Sequence, residues 1–285
     1  MPLARRRFAV STHLYHDYRL SREHLQEIGA HGFEAVELFA TRTHFDYHNP
    51  SAVADLQGWL GASGLELHGI HAPISDRFSG GRPGPLMSLA SADPARRAFA
   101  VSEAERALQV ARRIPMKVLV AHLGVPAAPG SVSAENRRDA VRRSIDELHA
   151  LAEPLGVVVA VELIPNELSR AGSLVHFVED DVERPGVGIC LDFGHAHMQG
   201  HLVDAIETVS EHLVTTHVHD NRGRADDHLV PFDGTIEWAS ALTALQKVGY
   251  EGTLVFEIAR QGPTRATLAK ARTARSRIER MLADG

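Results

Sequence analysis

VGICLDFGHAH, residues 187–197, runs from an apolar stretch straight into an acid and an imidazole, Asp192 and His195, three positions apart. Residues 187–191 carry no polar side chain, and unbroken apolarity without alternation is the mark of a parallel strand covered on both faces. Such a strand would end in polar residues at a sheet rim. Those residues have two readings, ordinary rim polarity or one corner of a metal site. Whether similar corners recur elsewhere in the chain separates the two.

Short apolar or β-branched runs of the same kind do recur, at 8–13, 35–39, 65–72, 117–123, 157–163, 213–219 and 253–258. Longer segments of helical period lie between them, near 21–31, 51–63, 94–113, 134–155, 172–181, 201–212, 236–248 and 264–282. Asn49-Pro50 and Asp93-Pro94 each read as an N-cap followed by proline in the first helical position. No Ser/Gly linker or shift in composition divides the chain. Eight strand–helix units in one domain predict a single (β/α)8 TIM barrel over residues 1–285, with a glycine- and proline-rich lid loop at 75–94. A doubly wound open sheet is the competing architecture. It lacks its glycine-rich phosphate loop after the first strand.

The chain has 285 residues, 44% of them apolar, and a formal net charge of −6 with histidine neutral. That balance argues against a protein held to nucleic acid by bulk electrostatics. Arg5-Arg6-Arg7 reads as a solvated leader, and no stretch is apolar enough for a signal peptide or a membrane span. One cysteine, Cys190, leaves no internal disulfide, fits a reducing cytoplasm, and sits where a small buried residue is expected. Histidine is the compositional oddity: 18 residues, against five methionines and ten phenylalanines. It is the commonest metal ligand and titrates nearest neutrality.

In barrels of this kind the reacting groups stand at the C-terminal strand ends. The late strand positions here hold His71, His122, Glu162, Asp192, His217, His219 and Glu257. Alternate strand residues share a face, so Val158, Ala160 and Glu162 point together into the barrel, as do His217 and His219. A lone histidine or carboxylate at a strand end is ordinarily a rim residue or a cap. Six strands delivering such groups to one rim is hard to explain by packing, because buried acids without partners are costly. Divalent cations compensate them, and mixed imidazole and carboxylate ligation suits zinc, manganese, cobalt or iron. Asp226 and His228 extend the pattern into the polar loop 217–238. Arg222 and Arg224 there would either hold an anionic substrate group or neutralise Asp226 and Asp227.

With VAVELIPN, GICLDFGHAH, THVHDN…DDHLVPFDGTI and VFEI, the chain resembles the xylose isomerase-like TIM-barrel superfamily over nearly its whole length. That group includes sugar phosphate isomerases and epimerases and the endonuclease IV type of abasic-site endonucleases. The resemblance implies a divalent metal (Zn, Mn, Co, Fe or Mg), one to three ions per chain, held by Glu162, Asp192, Glu257 and either His217 or His219. The endonuclease branch adds His71 and His122, with Glu162, for one further ion, and His195, Asp226 and His228 for another. His197 is expected to be supporting, and His13, Glu37, His219 and Arg222 to bind substrate. The stretch after Glu162, Leu163-Ile164-Pro165-Asn166, departs from the polar one of the endonucleases, and basic and aromatic residues for a DNA minor groove are not found.

The first mechanism is metal-dependent isomerisation or epimerisation of a sugar, sugar phosphate or polyol, with Glu162 and Glu257 passing the proton through an enediolate. The second is hydrolysis of a phosphoester at several ions, as in the endonuclease IV type. A sugar-binding barrel with one structural ion is the third reading, and it has more ligands than it needs. Lys117, Lys247 and Lys270 all lie away from the rim, which disfavours Schiff-base chemistry. The partner expected is a small carbohydrate-like molecule and no membrane; nucleic acid is disfavoured and stays open with the hydrolytic reading. Barrels of this family often pair, so a homodimer is allowed.

Overall fold

The computed structural model describes residues 6–80 and 82–283. Among them, eight parallel strands close into a barrel in chain order. They are β1 (Phe8–Ser11), β2 (Ala35–Phe39), β3 (Glu66–His71), β4 (Val118–His122), β5 (Val158–Glu162), β6 (Val187–Asp192), β7 (Leu213–Val218) and β8 (Leu254–Phe256). Closure is complete because β1 pairs with both β2 and β8, which excludes the open doubly wound sheet.

Strand alternation sorts the side chains. Ala9, Ala35 and Val255 form one small interior cluster, and Val118, Val120, Ala160 and Cys190 another. The outward set, including Phe8, Val10, Leu38, Ile70, Leu119, Val161, Ile189 and Phe256, joins the main core under the helices. Burying each such side chain stabilises by about 1.5–3 kcal/mol. Cys190 is buried, as expected, and burial pushes its thiol pKa up.

The helices are α1 (Arg22–Ala30), α2 (Pro50–Ser63), α3 (Pro94–Leu108), α4 (Arg138–Ala152), α5 (Ala171–His176), α6 (Phe193–Met198), α7 (Leu202–Thr208), α8 (Trp238–Lys247) and α9 (Thr264–Ala283). Asn49 and Asp93 cap α2 and α3 through Ser51 N and Ala95 N, with Pro50 and Pro94 following. Gly64 ends α2 at φ +65°, in the left-handed region open to glycine. Helix α4 starts four residues later than its sequence period implied, because 134–137 is a turn without an apolar stripe. Helix α7 is shorter than 201–212 and passes into a 3-10 turn, Ser210–His212. Helix α6, directly after Asp192, was not expected.

The leader reading of Arg5-Arg6-Arg7 needs correction. Arg5 lies outside the described residues. Arg6 is anchored, hydrogen-bonding the carbonyl of Tyr250 with its guanidinium 5.8 Å from that ring, and Arg7 pairs with Glu66. Within 75–94 the chain makes a small antiparallel hairpin, Phe78–Ser79 against Arg82–Pro83, with a further bridge from Ser75 to Leu86; residue 81 is outside the described set. Among the described residues no helix is long and apolar enough to cross a membrane.

Candidate metal centre

Inward-facing positions climb each strand as small residues and end in a donor: Val118, Val120, His122 on β4, and Val158, Ala160, Glu162 on β5. Register then sets neighbours side by side, with His122 opposite Glu162 and Asp192 opposite His217. Three groups of potential ligands result, in each of which the donor atoms lie within 4.8 Å of one another. The inner group is His71, His122 and Glu162. The central group is Glu162, Asp192, His217 and Glu257. The outer group is His195, His219, Asp226 and His228. Glu162 therefore belongs to two groups.

Hydrogen bonds at the far side of the rings fix which nitrogen faces the centre. His71 Nδ1 lies 2.8 Å from the carbonyl of Ala72, so Nε2 carries the lone pair toward Glu162 Oε2, 3.1 Å away. His217 Nε2 lies 3.1 Å from the Glu37 carboxylate, leaving Nδ1 toward Glu162 Oε1 at 3.0 Å. His195 Nδ1 faces the carbonyl of Leu163 at 3.0 Å and His228 Nδ1 that of Glu257 at 2.8 Å; the Nε2 of each is 3.1 Å from Asp226 Oδ2. A ring oriented by a carbonyl or carboxylate behind it is the arrangement of metal-bound histidine. Lone pairs of imidazole and carboxylate turned on one another repel unless a cation lies between them.

The electrostatics agree. Burial opposes charge on His195, but the carboxylates of Asp192 and Asp226 outweigh it and push its pKa up to about 10. His228 reaches about 10 in the same way, burial being overridden by Asp226. Burial would raise the carboxyl of Glu162, yet the His217 and His122 imidazoles hold it well below the usual carboxylate range. The site thus places a demand for positive charge at its centre. Tetrahedral metal bonds of ~2.0–2.2 Å put adjacent donor atoms about 3.4 Å apart, close to the 3.0–3.1 Å spacings observed.

Both seventh-strand histidines are in ligand groups, His217 in the central one and His219 in the outer one. Glu37 is not positioned for substrate: it is fully buried behind His217 and holds that ring. Arg222 and Arg224 are exposed, pair with neither Asp226 nor Asp227, and do not line the cavity over the centre. They lie on the outer turn of the loop. His13 does line that cavity; its Nδ1 is buried without a partner, and its ring is 4.7 Å from that of His228. Burial, helped by the His228 and His16 rings, keeps it neutral. His197 turns outward to Thr235 Oγ1, 2.9 Å away.

Sequence reasoning missed Asp220. Fully buried, its carboxylate accepts from the backbone N–H groups of Asn221, Ile236 and Phe232 and from Trp238 Nε1, at 2.9–3.1 Å. It folds the loop that carries Asp226 and His228. The cavity above the centre measures about 240 Å³, and residues Ile74, Pro83, Leu86 and Met87 of the hairpin segment form its apolar side.

The xylose isomerase-like TIM barrel family model matches residues 25–281. Uncharacterized protein MJ1311 of Methanocaldococcus jannaschii is 26% identical over 258 residues, covering 88% of this chain and 83% of that protein. D-psicose 3-epimerase of Enterocloster bolteae is 23% identical over 244 residues, covering 83% and 76%. The crystal structure of a D-tagatose 3-epimerase-like protein superposes with a TM-score of 0.81 at 24% identity, covering 98% of each chain, which shows the shared fold.

Proposed function

The chain belongs to the xylose isomerase-like TIM-barrel family, and from that premise we propose that it is a metal-dependent isomerase or epimerase of an uncharged sugar or polyol. The observation that carries this reading is a pair of donor groups sharing Glu162, with Glu257 opening from them into the cavity. His71, His122 and Glu162 would hold one cation, and Glu162, Asp192, His217 and Glu257 a second. A divalent cation there supplies Lewis acidity to adjacent carbonyl and hydroxyl oxygens, making the intervening C–H easier to remove.

The two glutamates are not equivalent. Both oxygens of Glu162 face imidazoles, His217 on one and His71 and His122 on the other, at 3.0–3.1 Å. Glu257 Oε2 has only longer contacts, 3.4 Å to His217 Nδ1 and 3.7 Å to His228 Nδ1. Glu257 is therefore the better proton carrier, and Glu162 serves as the shared carboxylate. One base moves a proton between adjacent carbons, whereas inversion at carbon needs a second group on the opposite face. Of the two reactions, this geometry favours isomerisation.

The cavity supports a small, uncharged substrate. Its volume of about 240 Å³ falls below the ~300–1,000 Å³ of drug-sized sites. No lysine or arginine is among its described lining residues, and a phosphate would call for one. Residues 75–94 would cover the substrate and exclude water. The number of donor groups keeps a second reading, multinuclear phosphoester hydrolysis, in view.

Exchange of substrate C–H with deuterated water, followed by proton NMR over a panel of ketoses, aldoses and cyclic keto-polyols, tests this function. Wild type with added divalent cation should exchange the proton beside the carbonyl. Glu257→Gln should slow that exchange by about 10²–10⁴-fold, the usual contribution of a general base. Unaltered exchange in Glu257→Gln would sink the proton-transfer role. Cleavage of an abasic-site oligonucleotide, with the whole sugar panel inert, would move the reading to hydrolysis.

A further inference from the structure

A second cavity, of about 790 Å³, opens on the flank of the barrel, where the loop after β4 meets the start of α4. The sequence there reads NRRDAVRR, residues 136–143. All four of its arginines, Arg137, Arg138, Arg142 and Arg143, line the cavity. None of them touches the metal donors or the cavity above those donors. We propose that this cavity binds a phosphorylated small molecule, its phosphate held by Arg138 and Arg142, at a site separate from the metal centre.

Asp181 decides how two of these arginines stand. Its Oδ2 accepts from Arg138 Nε at 2.6 Å, and its backbone carbonyl accepts from Arg142 Nε at 2.8 Å. Both bonds use Nε, so the terminal nitrogens keep their protons for another partner. Arg138 Nη2 is buried with no hydrogen-bond partner, and among the described residues no carboxylate pairs with Arg142. A guanidinium fixed along one edge offers the other as the fork that fits phosphate oxygens. Asp139 and Glu167 also line the cavity, but both are engaged. Glu167 takes Arg170 on its two oxygens at 2.9 Å, and Asp139 takes Arg143 at 3.3 Å. With Arg170 included, five arginines meet three carboxylates, so two positive charges remain, and a phosphate monoester carries about −1.5 to −2 at neutral pH. The arginines also crowd the positive end of α4, where cations are disfavoured and no side chain caps the first N–H groups. An anion there relieves both conditions.

Size points to more than a bare ion. The cavity falls within the ~300–1,000 Å³ of small-molecule sites, and inorganic phosphate would fill a small part of it. Ala127, Ala128, Val132 and Leu168 give it an apolar side for the organic part of the ligand. The strap 124–128 lies between this cavity and the one over the metal donors: Gly124, Val125 and Pro126 line the latter, Ala127 and Ala128 the former. Asn136 clamps the strap, accepting from Val125 N at 2.7 Å and donating to Val125 O at 3.0 Å. Cationic side chains, absent from the described lining of the central cavity, are thus gathered one strap away. The inference does not depend on the isomerase reading.

Isothermal titration calorimetry of the purified protein with AMP, glucose 6-phosphate and inorganic phosphate tests it. At least one of the two organic phosphates should bind one per chain, more tightly than inorganic phosphate and than its own unphosphorylated form. Arg138→Gln and Arg142→Gln should each weaken that binding about tenfold or more, the weight of one charge-assisted hydrogen bond. Arg142 is exposed, so Arg142→Gln should keep the wild-type circular dichroism spectrum and Tm. Arg142→Lys should recover only part of the loss, because a point charge lacks the fork. Arg272→Gln, an exposed arginine on α9, should change nothing, which separates this site from a general loss of charge. Glu257→Gln should leave the binding intact whatever happens to substrate exchange, so that failure here and failure of the isomerase reading are distinguishable. Full affinity in the doubly substituted Arg138→Gln, Arg142→Gln protein would place the phosphate elsewhere and overturn the proposal. Inorganic phosphate binding as tightly as both organic ones, or no binding by any of the three, overturns it as well.

Discussion

Asp220→Asn changes one oxygen into an amide and leaves the side chain its shape. In the native loop two donors meet Oδ1, the N–H groups of Asn221 and Ile236, and two meet Oδ2, the N–H of Phe232 and Nε1 of Trp238. All four partners are satisfied at 2.9–3.1 Å around a carboxylate with no solvent exposure. Whichever way the amide turns, its NH₂ confronts two of these donors and cannot accept from them. Each buried donor left unsatisfied costs about 1–3 kcal/mol, so the substitution should destabilise the loop by about 2–6 kcal/mol. Against a total stability of ~5–15 kcal/mol for a typical domain, that is a large share.

Val230 and Ile236 tie the loop into the main core, whereas residues 222–226 are exposed, so the exposed part of the loop should loosen before the strands do. Thermal unfolding by circular dichroism should show Tm lowered by roughly 4–12 °C, taking ~2 °C per kcal/mol for a chain somewhat larger than 250 residues. Trp238, one of the four donors around this carboxylate, should report a separate transition at lower temperature by fluorescence. Cleavage within 222–226 should quicken while residues of the barrel stay protected. A Tm within 1 °C of wild type, with unchanged Trp238 emission and unchanged proteolysis, would refute the claim that Asp220 organises the loop.

Acid should weaken the protein through two histidines outside the ligand groups. Burial lowers His44 and His68 from an ordinary value of 6.5 to about 4. Both are neutral in the fold and take up protons more readily once unfolded, so their stabilisation is complete above pH 6.5 and is lost as pH falls toward 4. The loss should reach about 2 kcal/mol for each by pH 5, read as a falling urea midpoint between pH 7.5 and 5; a flat or rising midpoint contradicts the assignment. Chelation should also lower Tm by several degrees, since Glu162, Asp192 and Glu257 are buried together and a cation present at ~1,000 times its Kd contributes about 4 kcal/mol. Restoration by zinc, manganese or cobalt, but not by raised ionic strength alone, is the expected signature; equal recovery with sodium chloride would point to simple screening.

The eight barrel strands were legible because each is a short apolar or β-branched run at regular spacing, and their C-terminal donors were legible from position alone. Helix α6 was not. FGHAHM has one glycine and two histidines in six residues and no apolar stripe, so nothing in its period announces a helix. Its signal was the cap: Asp192 Oδ1 accepts from His195 N at 2.6 Å, the side-chain bond that starts a helix. Glu37 and Asp220 were opaque for another reason. One reads as a strand-end acid and the other as a loop acid, and only folding puts a ring in front of the first and four donors around the second. Arg222 reads as an anion clamp from composition, but an irregular loop turns side chains by its own hydrogen bonds, and this one turns outward.

Asp192 serves both sides of the alternative with which the 187–197 stretch began. A rim carboxylate kept for capping would need one partner, and Asp192 has that partner in His195 N. It also lies 3.0 Å from His219 Nε2 and stands opposite His217 in the β6–β7 register, within the central donor group. One buried carboxylate thereby starts α6, which places His195, orients His219, and stands in one donor group with Glu162, His217 and Glu257. Capping and ligation are not competing explanations here, because the cap is what aims the ligand. A substitution at Asp192 must therefore disturb the central and outer groups together, and His219→Ala reaches the central group too, because it removes a partner of the Asp192 carboxylate.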